Sequence, residues 1–156
     1  MRTQSITDVV GRLCVLLTAE DGETRQIDLG GNTLCQAYLN ALAAWSVATN
    51  NTGQNPVSPP SLFLLGTGSG TPAVSDTSLF SPDSNSRVSM SARTSAGATA
   101  TFTTNYAKGQ LNGTYTEAGM LDVNGNLMAH IVFASSLPVT TSQAATFIWE
   151  NTYNAG

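Results

Sequence analysis

Ionisable side chains are sparse in this chain: Asp, Glu, Lys and Arg make up 10% of its 156 residues, against roughly 25% in an ordinary globular domain. The six basic residues, Arg2, Arg12, Arg25, Arg87, Arg93 and Lys108, are scattered singly, and the net charge is −4. No basic stripe exists to neutralise phosphates, which excludes a nucleic-acid partner. A single histidine, His130, excludes a histidine-based metal cluster. Cys14 and Cys35 are too few for a disulfide framework or a zinc site and are expected to be two buried thiols. No run approaches the ~20 apolar residues a bilayer-spanning helix needs. The opening MRTQSITDVVGRL has no uninterrupted apolar stretch of the signal-peptide kind, so neither export nor membrane anchoring is expected.

Ser, Thr, Asn, Gly and Ala stand where charge would. The hydrophobic fraction, 41%, is ordinary, and the length suits one domain spanning 1–156 with a flexible N-terminal arm over 1–8. A surface of small uncharged polar groups desolvates at little cost, which suits a protein packed against copies of itself or a larger assembly.

The stretch GTYTEAGMLDVNGNLMAHIVFA, 113–134, organises the rest. Asn124-Gly125 predicts a type I′ hairpin turn, since both residues tolerate positive φ. Leu127, Ala129, Ile131 and Phe133 alternate with Met128, His130 and Val132, so the second strand is apolar on both sides and reads as central. Upstream, Thr7 to Thr18, with Val9, Leu13, Val15 and Leu17, reads as a strand interrupted near Gly11. Asp21-Gly22 turns it into a return strand carrying Arg25, Ile27 and Leu29, which Gly30-Gly31 ends. Leu34, Ala37, Tyr38, Ala41, Leu42 and Trp45 form one stripe of a helix over about 33–48, capped by Asn32 or Thr33. Polar, proline-bearing loops are expected over 50–60 and 66–84 around a short strand at 61–65. Val88 to Arg93 and Ala98 to Tyr106 read as antiparallel strands turned at Ser95-Ala96-Gly97. Turns over 108–113 and 138–143 flank the central hairpin, and the chain ends on a strand over 145–153 with Phe147 and Trp149 on one face. About eight short strands and one helix predict a mainly β, antiparallel two-sheet sandwich of jelly-roll or immunoglobulin-like type.

Candidate chemistry is thin. Gly66, Gly68 and Gly70 follow an apolar strand, but Thr71-Pro72 stands where a phosphate loop needs Lys-Ser/Thr, so nucleotide binding is excluded. Asp21, Asp83 and Asp122 fall in predicted turns, where aspartate serves local backbone bonds. Asp21, Glu23 and Asp28 lack the alternating oxygen ligands of a calcium loop. Glu117 interrupts an apolar strand and calls for a partner, expected to be Arg87 or Arg93. His130 is expected to be a satisfied strand histidine, since a triad would have to recruit it from a central strand. No catalytic, cofactor-binding or metal-ligating residue is therefore assigned.

Four segments in order, Gly66-Thr67-Gly68, Asp76-Thr77-Ser78-Leu79, Thr116-Glu117-Ala118-Gly119-Met120-Leu121-Asp122 and Gly125-Asn126-Leu127-Met128-Ala129, carry a resemblance. From about Asn32 to Tyr153 the chain resembles small tailed-bacteriophage virion proteins that run G-T-G, D-T-x-L, T-E-A-G-L-F and G-x-L-x-A behind a capped helix. Met120-Leu121 stands in place of the usual Leu-Phe. The resemblance implies a non-enzymatic virion protein made in the host cytoplasm. At this size, without fibrous repeat or heptads, it implies a capsid decoration (cement) protein on the capsid surface. Copies of itself as a homotrimer and the major capsid protein are the implied partners, with no cofactor, small-molecule substrate, nucleic acid or membrane. Contacts are expected from the arm and from the 50–60 and 66–84 loops. The same segments are similar to parts of phage tail-collar and fibre proteins, which implies a tail, neck or fibre-base role, structural or receptor-binding, as the alternative.

Overall fold

A computed structural model describes residues 6–47 and 58–155. Among the described residues it contains ten strands and one helix. These are β1 (Ile6–Thr18), β2 (Thr24–Gly31), β3 (Thr33–Leu34), α1 (Gln36–Val47), β4 (Leu62–Gly66), β5 (Pro82–Ser89), β6 (Ala92–Ala96), β7 (Thr99–Tyr106), β8 (Gly113–Leu121), β9 (Leu127–Val139) and β10 (Ala144–Ala155). They form two five-stranded antiparallel sheets, ordered β2-β1-β10-β7-β6 and β3-β9-β8-β4-β5. The protein is thus mainly β with one short helix, in keeping with the sandwich class. Backbone contacts divide the chain into two compact units, one of 1–32, 90–114 and 133–156, the other of 33–89 and 115–132.

In the first unit, period-two alternation decides which side chains are buried. Leu13, Val15 and Leu17 of β1 and Phe147 and Trp149 of β10 are buried, with Phe102 and Tyr106 of β7 beside them. Arg12, Cys14 and Leu16 stand on the opposite side. The ring of Tyr106 meets that of Phe147 edge-on at 5.7 Å. Gly11 does not interrupt β1. It pairs with Asn151, and a Cβ there would run into the side chain of Asn32. Asp21-Gly22 turns the chain as expected, with Gly22 at φ 87°. The β2 strand ends on Gly31, so Gly30-Gly31 closes it as expected. Its register against β1 shifts between Leu13 and Cys14, and Gly30 takes φ 109°, a conformation only glycine adopts freely. The ladder of β1 already includes Ile6 and Asp8, paired with Ala155 and Asn154. Residues 6–8 of the expected flexible arm therefore belong to β1, and 1–5 lie outside the described residues.

In the second unit the helix starts three residues later than expected. Thr33 and Leu34 instead form β3, paired with His130 and Ala129 of β9, and the carbonyl of Cys35 accepts the first helical amides, Tyr38 at 3.0 Å and Leu39 at 3.3 Å. The apolar stripe behaves as predicted at Tyr38 and Ala41, both buried, and Tyr38 meets Trp45 edge-on at 6.1 Å. The end of the predicted helix at 48 and most of the 50–60 loop lie outside the described residues. Cys35, Leu64, Leu79, Leu121 and Leu127 make one buried cluster with Leu62 against it. Cys14 is half-buried and Cys35 buried, and both are free thiols.

Two corrections concern turns. Asn124-Gly125 is not a two-residue type I′ turn, because only Gly125 takes positive φ, 87°. The chain instead makes a wider reversal in which Gly125 N–H donates to the Asp122 carbonyl at 3.1 Å and Asp122 N–H to the Asn126 carbonyl at 3.0 Å. The buried carboxylate of Asp122 accepts from the backbone of Asn124 and Asn126, each at 2.9 Å, and from the Asn126 side chain at 2.8 Å. It thereby satisfies the donors that a longer turn leaves open. The predicted strand 88–93 is also two strands, since β5 ends at Ser89 in one sheet and β6 starts at Ala92 in the other. With β3, this raises the count from about eight to ten.

Candidate functional site

Glu117, His130 and Asp76 meet inside the second unit. Glu117 projects from β8 and His130 from β9, and both side chains are fully buried. His130 Nε2 lies 2.8 Å from Glu117 Oε2, and Nδ1 lies 2.8 Å from Asp76 Oδ2. Asp76 comes from the 67–81 segment and is 16% exposed. The exposed ring of Phe80 leans over the imidazole at 4.8 Å and 58°.

Glu117 does more than face the histidine. Its Oε1 accepts from the backbone N–H of Gly68 at 2.9 Å and of Ser81 at 2.7 Å, and Oε2 accepts from that of Phe80 at 3.0 Å. With the histidine, each oxygen has two donors, which fills the acceptor capacity of a carboxylate and leaves no position for its own proton. An imidazole with a carboxylate at each nitrogen makes both bonds when each nitrogen donates. The arrangement is a carboxyl–imidazole–carboxyl chain in which both ring nitrogens and both Glu117 oxygens have hydrogen-bond partners, the condition under which burying such groups is tolerated.

Two glycines make the approach possible. A Cβ on Gly66 would stand 2.5 Å from Glu117 Oε1 and 2.6 Å from the Ser81 carbonyl oxygen. One on Gly68 would stand 2.5 Å from the same Oε1 and 2.8 Å from Ser81 N. The glycines at the end of β4 and two residues beyond it thus let backbone N–H groups reach a buried carboxyl, a use unrelated to phosphate. Further bonds tie the segment down: Thr116 Oγ1 donates to the Gly68 carbonyl at 2.6 Å, and Thr67 N–H to that of Ser81 at 2.9 Å. Ala73 and Asp76 bond reciprocally, the Ala73 N–H to Asp76 Oδ2 at 2.9 Å and the Asp76 N–H to the Ala73 carbonyl at 3.0 Å. Leu79 and Leu127 fill the space over Gly119, where a Cβ would come within 3.0 Å and 2.7 Å of them.

The environment of Asp76 is mixed. Burial on its own raises its carboxyl, but the Ala73 N–H, the bond to His130 and the attraction of that ring together outweigh it and hold the group below its ordinary 3.8. Cys35 lies in the same field: burial, with Asp76 adding, pushes its thiol up to about 12.

The partner predicted for Glu117 is therefore replaced. Neither Arg87 nor Arg93 pairs with it; His130 and three loop amides do. His130 is satisfied, as expected, by two carboxylates that sequence reasoning did not connect to it. Asp21, Glu23 and Asp28 are not drawn into a cluster. Asp21 takes the Glu23 N–H at 2.9 Å, and Asp28 pairs with Arg12 at 2.5 Å on the surface. Among the described residues no group of three or more His, Cys, Asp or Glu side chains could hold a metal ion. The node ties the 67–81 segment to β8 and β9 through the Glu117 carboxyl and both His130 nitrogens.

No protein-family model, curated protein or solved structure matches this chain.

Proposed function

We propose that this chain is a non-enzymatic structural protein of a tailed-bacteriophage virion, seated as a capsid decoration (cement) protein on the outside of the major capsid protein shell. The observation that carries the reading is the convergence of its motifs. Gly66, Gly68, Asp76, Thr116 and Glu117, five of the residues in the segments that carry the resemblance to phage virion proteins, come together at the Glu117–His130–Asp76 node. Such a group maintains a module rather than reacting, which favours a mechanical role for Glu117 and His130 over general acid or base work.

The surface supports the same reading. With charge at 10%, contact with a shell desolvates few strongly hydrated groups. A protein that binds the assembled shell and not its free subunits stabilises the shell by mass action, opposing the pressure of packaged DNA.

Immunogold labelling of intact particles tests this. Dense label over the whole head is expected. Label confined to a vertex or the tail would move the module to the neck, tail or fibre base, and particles without label would remove the virion reading.

A further inference from the structure

Among the described residues four strands end the two sheets: β2 and β6 in one, β3 and β5 in the other. An edge strand offers unpaired backbone N–H and C=O groups, and proteins that must not pair there shorten, bulge, charge or interrupt it. Three of the four edges carry such devices. β3 is two residues long. β5 opens on Pro82, and its register against β4 shifts between Phe63 and Leu65, where the buried Ser86 hydroxyl takes the Leu65 N–H at 2.8 Å. β2 is kinked at Gly30 and exposes Arg25 and Asp28. β6, five residues long, has no bulge, kink or interruption. It runs against β7 from Ala92↔Thr103 to Ala96↔Thr99 without a shift, all five of its residues are exposed, and it has no proline and one charge, Arg93.

We propose that β6 is a pairing edge whose occupant is β6 of a second copy of this chain, antiparallel about a two-fold axis through Thr94. The sequence Ala92-Arg93-Thr94-Ser95-Ala96 is nearly self-complementary in that register. Ala92 stands opposite Ala96, Arg93 opposite Ser95 and Thr94 opposite its own copy, so no like charges face each other. The register slipped by two residues the other way sets Arg93 against itself. The two-fold contact is isologous and closed. The sheet's other edge, β2, is guarded, so pairing stops at two copies instead of continuing into a fibre.

This contact is short and makes a concentration-dependent pair. It is independent of the virion reading. Its test needs only the purified protein. Sedimentation velocity over a concentration series is expected to show the smallest species doubling in mass. Thr94→Lys, which places two ammonium groups face to face, is expected to weaken the doubling at least about fivefold, and Thr94→Glu to do the same. An equimolar mixture of the two variants restores it, since residue 94 then meets the opposite charge. Parental melting curves for both variants exclude misfolding. A protein that never doubles overturns the proposal. So does a Thr94→Lys variant that doubles like the parent, or a mixture that stays undoubled. A parent that stays single but attaches to shells through β6 also overturns it, by making the occupant a strand of another protein.

Discussion

Glu117 illustrates how far one side chain can organise its surroundings. Glu117→Gln keeps the shape but turns one acceptor into a donor facing N–H groups, while Glu117→Ala leaves the buried His130 ring and three loop amides without their acceptor. Removing one partner of a buried, hydrogen-bonded pair costs about 3 to 5 kcal/mol. Urea unfolding of Glu117→Ala and His130→Ala should each show a loss of that size, and the double variant much less than their sum. Glycines separate in the same way. Gly68→Ala drives a methyl into Glu117 Oε1 and Ser81 N and is expected to cost about 2 to 3 kcal/mol, whereas Gly97→Ala meets open space at φ 56° and costs about 1 kcal/mol of backbone strain. The thiols differ as well. With burial pushing Cys35 to about 12, a disulfide reagent at pH 8 should modify one thiol, the half-buried Cys14, in the native protein and both in urea. A native Cys14→Ser variant should then be inert. Part of this was legible in advance: a lone glutamate and a lone histidine inside apolar strands each demand a partner. Their mutual pairing was not, because Arg87 and Arg93 offered simpler Coulombic partners, and nothing in a glycine-rich loop shows that its amides turn inward.

At the scale of the element, the 67–81 segment depends on the node for its place. Asp76 sets its pH response. Its carboxyl is held below 3.8 in the folded protein, so it contributes stability that is complete above the ordinary carboxylate value and is lost as pH falls through the lowered folded value. The urea midpoint of the parent should therefore fall more steeply below about pH 4 than that of Asp76→Asn, which starts lower at neutral pH. An equal slope in the two proteins would mean that Asp76 does not hold the segment. The hairpin of β8 and β9 was read correctly as an element and incorrectly as a turn. Asn-Gly is the commonest two-residue signal, but Asp122 three residues before Gly125 recruits a wider turn by accepting three hydrogen bonds, a preference that pair-level reasoning does not see. Asp122→Ala should cost about 1 to 3 kcal/mol, since it leaves those donors without their acceptor. Likewise, the apparent strand 88–93 carries an alternation that continues across two sheets, and only pairing partners reveal the break at Met90-Ser91.

For the whole molecule, strand content and antiparallel pairing followed from alternation and turn residues, whereas the assignment of strands to two sheets depended on contacts remote in sequence. The low charge that first excluded a nucleic-acid partner has a second meaning once the edges are known: β6, whose one charge is Arg93, has no bulge, kink or proline beside three guarded edges. The account depends most on the claim that the Asp76, His130, Glu117 node locks a loop rather than performs chemistry. Residue-resolved native-state hydrogen exchange tests this. The account predicts that the amides of Gly68, Phe80 and Ser81 exchange as slowly as the buried amides of β8 and lose protection together in His130→Ala. Exchange of those three amides as fast as that of an open turn such as Gly109 would contradict it.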